Sequence, residues 1–255
     1  MVMLTDARQK LIEELISKNG EVVISVLAKE LGVSVETVRR DINAMSKSGR
    51  LVKVHGGAVS ASRPVAESQY EKRRLEGSQI KERLGAEAAK RIEKHDVVAI
   101  STGSTLESVA RHITDKHGST VVTNSAAVAA AVKSECCCIL LGGELHPEEG
   151  YTFGPITAEQ LAKFHTDKAF ISASAVTADG LMTTGIEEGD LQRKMIENTS
   201  RVILVVQSTK LGTRSVYRYA GLESVDEIIL DKQKPLDHEL QKTIDALGIT
   251  VHYVD

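Results

Sequence analysis

The sequence contains no tryptophan and only 3% aromatic residues, so any core it builds must be packed from aliphatic side chains. No uninterrupted apolar run approaches the ~20 residues of a membrane-crossing helix. No apolar stretch follows a basic start at the N-terminus, so no secretory leader is read there and a cytoplasmic location is expected. Cysteine is confined to three adjacent positions, Cys136, Cys137 and Cys138. Adjacent cysteines do not readily bridge one another, and without a CxxC or Cys/His spacing no metal site is expected. They run into Ile139-Leu140-Leu141, where free cysteine behaves as a small hydrophobe, so a buried strand is expected there, with a redox sensor as the alternative.

What the chain does have is 255 residues, 42% of them apolar, which is comfortable for two domains. Its net charge of −3 is unevenly spread. Residues 1–94 carry 18 Lys/Arg against 13 Asp/Glu, and residues 95–255 carry 14 against 22. A basic N-terminal third on an acidic body points to an anionic partner for that third alone.

The first sixty residues read as three helices and a hairpin. Leu11, Ile12, Leu15 and Ile16 repeat at helical spacing, and Asn19-Gly20 ends that helix. Leu27, Ala28 and Leu31 mark a second. Gly32 breaks it, and Ser34 is a good N-cap for a third. Val38, Ile42 and Met45 give the third helix one apolar stripe. Its other side carries Glu36, Thr37, Arg40 and Asn43, with Arg39 at the margin. Gly49 closes it. Leu51–Val54, the turn His55-Gly56-Gly57 and Ala58-Val59 then form a wing. A short helix, a tight turn and a polar-faced helix make the helix-turn-helix pattern, whose second helix enters the DNA major groove. Ser34, Glu36, Thr37, Arg40 and Asn43 would approach base edges, where an arginine can fork onto guanine. Arg39, Arg40, Lys47, Arg50, Lys53 and His55 would supply phosphate contacts. The bland alternative is a small helical bundle with a solvated basic face.

Leu27-Ala28 through Val33-Ser34, then Thr37-Val38-Arg39-Arg40-Asp41-Ile42, then His55-Gly56-Gly57-Ala58, resembles the DNA-binding signature of the DeoR family of bacterial sugar-metabolism regulators. Two positions depart from that family's pattern. Val23 stands where a small polar cap for the second helix is usual. Lys53 replaces the wing arginine, keeping the charge but losing the planar fork.

Residues 60–78 are polar, include Pro64 and read as a linker between a winged helix-turn-helix (1–59) and a larger domain (79–255). Within the linker, Glu71-Lys72-Arg73-Arg74 reads as a solvated helical face or an extra DNA contact. Ile80, Leu84, Ala88 and Ile92 then predict a helix. Beyond it, short apolar runs end in small or polar residues. Val97–Ile100 leads to Ser101-Thr102-Gly103-Ser104-Thr105, Val121-Val122 to Thr123-Asn124-Ser125, and Cys138–Leu141 to Gly142-Gly143. Ala169–Ile171 leads to Ser172–Ser174, and Val202–Val206 to Gln207-Ser208-Thr209-Lys210. Apolar strands alternating with helices predict an α/β domain with a parallel sheet covered on both faces, whose ligands bind at the carboxyl ends of the strands.

The Ser101–Thr105 loop opens a helix and could cradle a phosphate with backbone amides and hydroxyls. No Gly-Lys-Ser/Thr follows, which disfavours ATP. Lys210 would neutralise the phosphate. Thr123, Asn124, Ser125, Gly142 and Gly143 would line the rest of one effector site. The DeoR resemblance extends over these loops, Asp167 and Ser208–Lys210, and so over nearly all of residues 5–231. It implies a C-terminal fold similar to ribose-5-phosphate isomerases, sensing of a phosphorylated sugar or related metabolite, and operator release on binding it. Ser101 stands where many family members have Asp.

A DNA-binding transcriptional regulator, a repressor of a carbohydrate-utilisation operon, is therefore the first reading. It requires double-stranded operator DNA and a phosphorylated effector, and no cofactor, metal or membrane. A homo-oligomer is expected, because one recognition helix reads too few base pairs for genomic specificity. The alternatives are a sugar-phosphate isomerase, with Glu187 or Glu188 as base in a loop expected to be solvent-exposed, and a nucleoid binder without a polar pocket.

Overall fold

The computed structural model describes residues 5–19, 21–48, 50–54, 57–60, 69–114, 118–133 and 136–255. His55, expected on phosphate, lies outside them, as do the turn residues Gly20, Gly49 and Gly56 and the linker stretch 61–68. The chain divides into two units, 1–67 and 68–255. Among the described residues no helix is long and apolar enough to cross a membrane.

The first unit runs α1 (Thr5–Asn19), β1 (Glu21–Val23), α2 (Ile24–Glu30), α3 (Val35–Lys47), β2 (Leu51–Val54) and β3 (Gly57–Ser60). Its core is the aliphatic set predicted from periodicity: Ile12, Ile16, Leu27, Val38, Ile42 and Met45 are all buried. Each such side chain contributes about 1.5–3 kcal/mol on burial. Gly32 turns the chain with φ +63°, and the Ser34 Oγ accepts from the Thr37 amide at 3.2 Å, capping α3. The sequence reading missed β1. It pairs antiparallel with β3, which pairs in turn with β2, so the wing is a three-stranded sheet. That explains Val23. It is a strand residue opposite Gly57, and α2 starts from it without a side-chain cap.

One polar contact crosses this core. Arg8 of α1 donates through Nε to Asp41 Oδ2 (2.5 Å) and through a terminal nitrogen to Asp41 Oδ1 (3.1 Å), with both side chains buried. A bidentate guanidinium–carboxylate pair fixes direction as well as distance, and here it sets the rotation of α3 against α1.

The second unit opens with α4 (Gln69–Leu75) and α5 (Ser78–Ala89), followed by β4 (Val97–Ile100), α6 (Ser104–Arg111), β5 (Thr120–Thr123), α7 (Ala126–Ala131) and β6 (Cys137–Leu140). A small hairpin, β7 (Glu144–Leu145) and β8 (Thr152–Phe153), precedes α8 (Pro155–Leu161) and β9 (Lys168–Ile171). Then come β10 (Ala175–Thr177), β11 (Gly180–Thr183), α9 (Ile186–Glu197), β12 (Val202–Val206), a short 3-10 turn at Ser208–Lys210, and β13 (Tyr217–Ala220). The chain finishes with β14 (Glu227–Asp231), α10 (His238–Leu247) and β15 (Thr250–Val254).

Seven of these strands form one parallel sheet in the order β15-β14-β12-β9-β4-β5-β6. Alternate residues face opposite sides. Val98, Ile100, Phe170, Ile203 and Val205 pack under α5 and α6, whereas Ala99 and Ala169 meet α8 and α9. Leu204, Val206 and Leu230 meet α10 and the antiparallel sheet β10-β11-β13. Two aspartates start strands for their neighbours: the Val97 amide donates to Asp167 Oδ2 (2.8 Å) and the Val202 amide to Asp226 Oδ2 (2.7 Å).

Two expectations need correction. The linker assigned to 60–78 does not run its full length. Residues 69–75 are helical, and Tyr70 is buried with its hydroxyl donating to Glu107 Oε2 at 2.7 Å. The cysteine run is not a fully buried strand. β6 is the outermost strand of the sheet, with Cys136 buried, Cys138 half-buried and Cys137 exposed. A parallel sheet buries both faces only in its middle, and an apolar run at its edge looks the same in sequence.

Asp41→Ala should leave Arg8 charged and buried without its partner. Removing one member of a buried pair costs about 3–5 kcal/mol. Urea unfolding followed by far-ultraviolet circular dichroism is the suitable measurement, because residues 1–67 contain no aromatic fluorophore. A large drop in the midpoint of the first unit is expected.

Candidate functional site

The polar face of α3 is open. Glu36, Arg39, Arg40, Asn43 and Lys47 are exposed, and Thr37 is partly so. Its two ends are braced differently. The Ser34 and Thr37 hydroxyls bond each other at 2.8 Å, and Lys53 of β2 donates to Asn43 Oδ1 at 2.9 Å, tying the wing to the helix. Arg39 lies 3.6 Å from Glu36 in an exposed pair of little energetic weight. Arg50 also braces α1: its guanidinium donates to Glu13 Oε1 (2.6 Å) and Gln9 Oε1 (2.9 Å).

In the second unit the chain lays β4, β5 and β6 outward in one direction, then returns to place β9, β12, β14 and β15 on the other side of β4. The reversal leaves a crevice at the carboxyl ends of β4, β9 and β12, the ordinary ligand site of open α/β sheets. A cleft of about 470 Å³ lies there. Thr102–Thr105 follow β4, Ser172–Ser174 follow β9, and Gln207, Thr209 and Lys210 follow β12, all lining it. Gly103, with φ +134°, precedes α6, and no side chain caps that helix. The amides and dipole of its first turn therefore face the cleft as an anion-binding end. Thr102 Oγ1 is buried there without a hydrogen-bond partner.

Only part of the predicted effector set is in the cleft. Thr102, Gly103, Ser104, Thr105 and Lys210 line it; Ser101, Thr123, Asn124, Ser125, Gly142 and Gly143 do not. Ser101 is buried behind the loop, its amide donating to the Phe170 carbonyl at 3.1 Å. The others lie at the ends of β5 and β6 against β7, β8 and α8, with Thr123, Asn124 and Ser125 buried and Gly142 and Gly143 exposed. Asn124 Nδ2 donates to the Thr152 carbonyl (3.0 Å), Thr157 Oγ1 to the Gly142 carbonyl (2.8 Å), and Ser125 caps α7. Gly143 has φ +147°, and a Cβ there would stand 2.0 Å from Thr157 Oγ1, so close packing requires glycine. These residues seat the hairpin whose intervening loop delivers His146, Glu149 and Tyr151 to the cleft.

The remaining walls were not read from the sequence. α4 and α5 bring Arg73, Glu76 and Lys81. Lys81 is only 5% exposed, and its Nζ donates to the Glu76 carbonyl (2.7 Å) and to the Arg73 carbonyl. Burial, and then the nearby charge of Lys210, lower its ammonium pKa to about 8. Two cations at one end of a cleft repel until an anion joins them. Arg73 pairs through both terminal nitrogens with Glu149, so it is neither a solvated face nor a free DNA contact. Glu188, expected to be solvent-exposed, is half-buried in the first turn of α9, where Thr183 Oγ1 donates to it and burial raises its carboxyl pKa. Lys81 had a visible signal: it stands three residues before Leu84 and seven before Ala88, on the apolar stripe of α5. Arg73 and Glu149 had none, since their pairing spans 76 positions.

Comparison with known proteins fits both units. Residues 8–64 match the model of the DeoR-like helix-turn-helix domain, and residues 76–232 match that of the DeoR C-terminal sensor domain. The chain belongs to the DeoR family. It is 30% identical over 240 residues to the glycerol-3-phosphate regulon repressor of Escherichia coli, covering 90% of this chain and 95% of that protein. It is 29% identical over 232 residues to the transcriptional repressor GlcR of Bacillus subtilis, covering 90% of each. Ribose-5-phosphate isomerase A of Methanocaldococcus jannaschii overlaps 52% of this chain and 54% of its own at 17% identity and a TM-score of 0.39, and that overlap says nothing of activity. As a DeoR-family member the chain is a transcriptional regulator with a DNA-binding unit and a sensor unit.

Lys210 is positioned by Asp231, a buried carboxylate that accepts from the Ser208 amide (2.7 Å), the Ser208 hydroxyl (2.6 Å) and the Gln233 amide (2.9 Å). Asp231→Ala should lower stability by about 1.5–3 kcal/mol, the scale of hydrogen bonds to a charged group. Thermal denaturation of the full-length protein measures it.

Proposed function

We propose that this regulator represses a carbohydrate-utilisation operon and that a phosphorylated sugar or related metabolite, bound in the cleft of the second unit, modulates its grip on operator DNA. The carrying observation is the meeting of Lys81, Lys210 and the uncapped start of α6 in one cleft. A phosphomonoester there would receive helix amides, the Ser104 and Thr105 hydroxyls and two ammonium groups, and charge-assisted bonds of this kind are about twice as strong as neutral ones. The names of the relatives, one of them a glycerol-3-phosphate regulon repressor, support the same ligand class.

The DNA-reading set is Ser34, Glu36, Thr37, Arg40 and Asn43 on α3, with Arg39, Lys47 and Lys53 on phosphates. Two-fold copies reading repeated half-sites would supply genomic specificity, so the working form is a dimer or larger. Light scattering at micromolar concentration should give a mass at least twice the 27.6 kDa of the chain.

Glu188 is a carboxyl of the kind an isomerase would need, and it faces this cleft. The helix-turn-helix unit has no use in such an enzyme, and turnover is not part of the proposed role. Incubation with ribose 5-phosphate should return it unconverted.

Arg40→Ala should weaken operator binding by about 1–3 kcal/mol if it forks onto a base edge, as read by gel-shift titration at fixed salt. Lys210→Ala should weaken effector binding by roughly 10- to 100-fold, the value of one hydrogen bond to a charged group. Its operator affinity without effector should match wild type. A variant that loses DNA binding without any ligand would make Lys210 structural.

A further inference from the structure

The cleft has two ends of different chemistry. The charged neighbours of Lys81 are Lys210, Glu76, Arg73 and Glu107. Those of Glu188 are Arg73 and Glu149, with the His146 imidazole beside them. Arg73 alone belongs to both sets and marks the boundary. On the Glu188 side, Tyr151 and Thr184 also line the wall, and the His146 and Tyr151 rings stack with centroids 5.1 Å apart. Burial and the surrounding acids keep the Tyr151 phenol protonated, and burial raises the Glu188 carboxyl pKa. Hydroxyl, carboxyl and imidazole groups, with Arg73 already paired to Glu149, suit the hydroxyls of a polyol. A second anionic group at that end would be desolvated beside Glu188 and Glu149.

We propose that Glu188 is the specificity-determining residue of the cleft, hydrogen-bonding the hydroxyls of a phosphorylated polyol or sugar and rejecting ligands with a second anion at their far end. This rests on the reading of the Lys81–Lys210 end as the phosphate site. The test is calorimetric titration of the full chain with inorganic phosphate, glycerol 3-phosphate, glucose 6-phosphate and 6-phosphogluconate. Wild type should prefer at least one hydroxylated phosphoester over inorganic phosphate and bind 6-phosphogluconate poorly. In Glu188→Gln that preference should fall at least tenfold while 6-phosphogluconate gains. Equal weakening of every ligand, or no change, overturns the assignment. Lys210→Ala separates the two readings. If the Glu188 effect persists while Lys210→Ala binds inorganic phosphate like wild type, the phosphate end is misplaced and the hydroxyl end stands. If wild type binds none of the four, both readings fall.

A different observation carries a second inference. The Arg73 carbonyl accepts from Lys81 Nζ and from Ser104 Oγ (3.4 Å), and the Glu76 carbonyl accepts from Lys81 Nζ. Carbonyls ending α4, which a helix leaves unpaired, are thus held by two side chains that also face the phosphate end. α4 is the first described element after residues 61–68, on the chain path to the DNA-binding unit. We infer that effector phosphate and the end of α4 compete for Lys81 and Ser104, so that binding loosens α4. This too rests on the phosphate-site reading. Hydrogen-exchange mass spectrometry of the full chain, with and without saturating glycerol 3-phosphate or inorganic phosphate, should show slower exchange at 101–106 and faster exchange at 69–77. Protection at 101–106 with unchanged or slower exchange at 69–77 overturns the competition and leaves the phosphate site standing. No protection at 101–106 with either probe removes both.

Discussion

The reversal of strand order beside β4 is the constraint on which the sensing unit depends. β4 lies between β5 and β9, so the chain leaves it in one direction and returns on its other side. Loops after β4 and β9 must then diverge, one toward α6 and the other toward β10, and the gap between them is the cleft. Loops after β5 and β6 do not diverge in this way. The β7–β8 hairpin and α8 pack against them, and Asn124 Nδ2 and the Gly142 carbonyl bond to groups of those elements. One topological fact therefore sorts similar-looking Ser/Thr/Asn/Gly loops into those that line the cleft and those that do not.

Electrostatics reinforces that geometry. Lys81 is almost fully buried, and a buried ammonium is tolerable only when its donors are occupied. In this structure backbone carbonyls occupy two of them. They are neutral dipoles, so they satisfy hydrogen bonds without cancelling charge, and Lys210 adds a second cation beside the first. The cleft thus holds two ammonium groups next to the start of a helix, offset in part by Glu76 and Glu107. An anion entering there would relieve repulsion as well as form bonds, which is the physical ground for proposing this end as the phosphate site.

Much of this was legible in the sequence. Helix α3, its Ser34 cap and its apolar stripe follow from 3.6-residue periodicity, and five of the seven parallel strands follow from short apolar runs ending in polar loops. What escaped has physical reasons. β1 is three residues long, too short for any period. β14 was hidden because its apolar core Ile228–Leu230 is framed by acids, and β15 because His252 and Tyr253 interrupt its pattern. In the cleft, five predicted residues came together because they follow β4 and β12, which flank β9 at the point where the strand order reverses. Six did not, because the sequence shows that a strand ends in small polar groups but not which neighbour covers it. Arg73 and Glu149 form a contact that only the folded chain creates, and Lys81 was passed over because a lysine on an apolar stripe reads as a snorkelling side chain.

The two-unit design places a limit on how a signal can travel. A ligand shifts an equilibrium only by the difference in its affinity for the two states. A rigid cleft that bound phosphate and changed nothing else would transmit nothing, however tightly it bound. α6 is pinned by its buried side chains Leu106, Val109 and Ala110, which pack in the core under the sheet, so it cannot move far. α4 is different: it is short, carries Tyr70 as its buried anchor, and is tied at the cleft through polar groups, Arg73 to Glu149 and the terminal carbonyls to Lys81 and Ser104. Polar ties can be exchanged for equivalent ones with a ligand at little net cost, whereas apolar burial cannot. On the proposed phosphate site, the element able to respond is therefore α4, held by groups that a phosphate there would also bond.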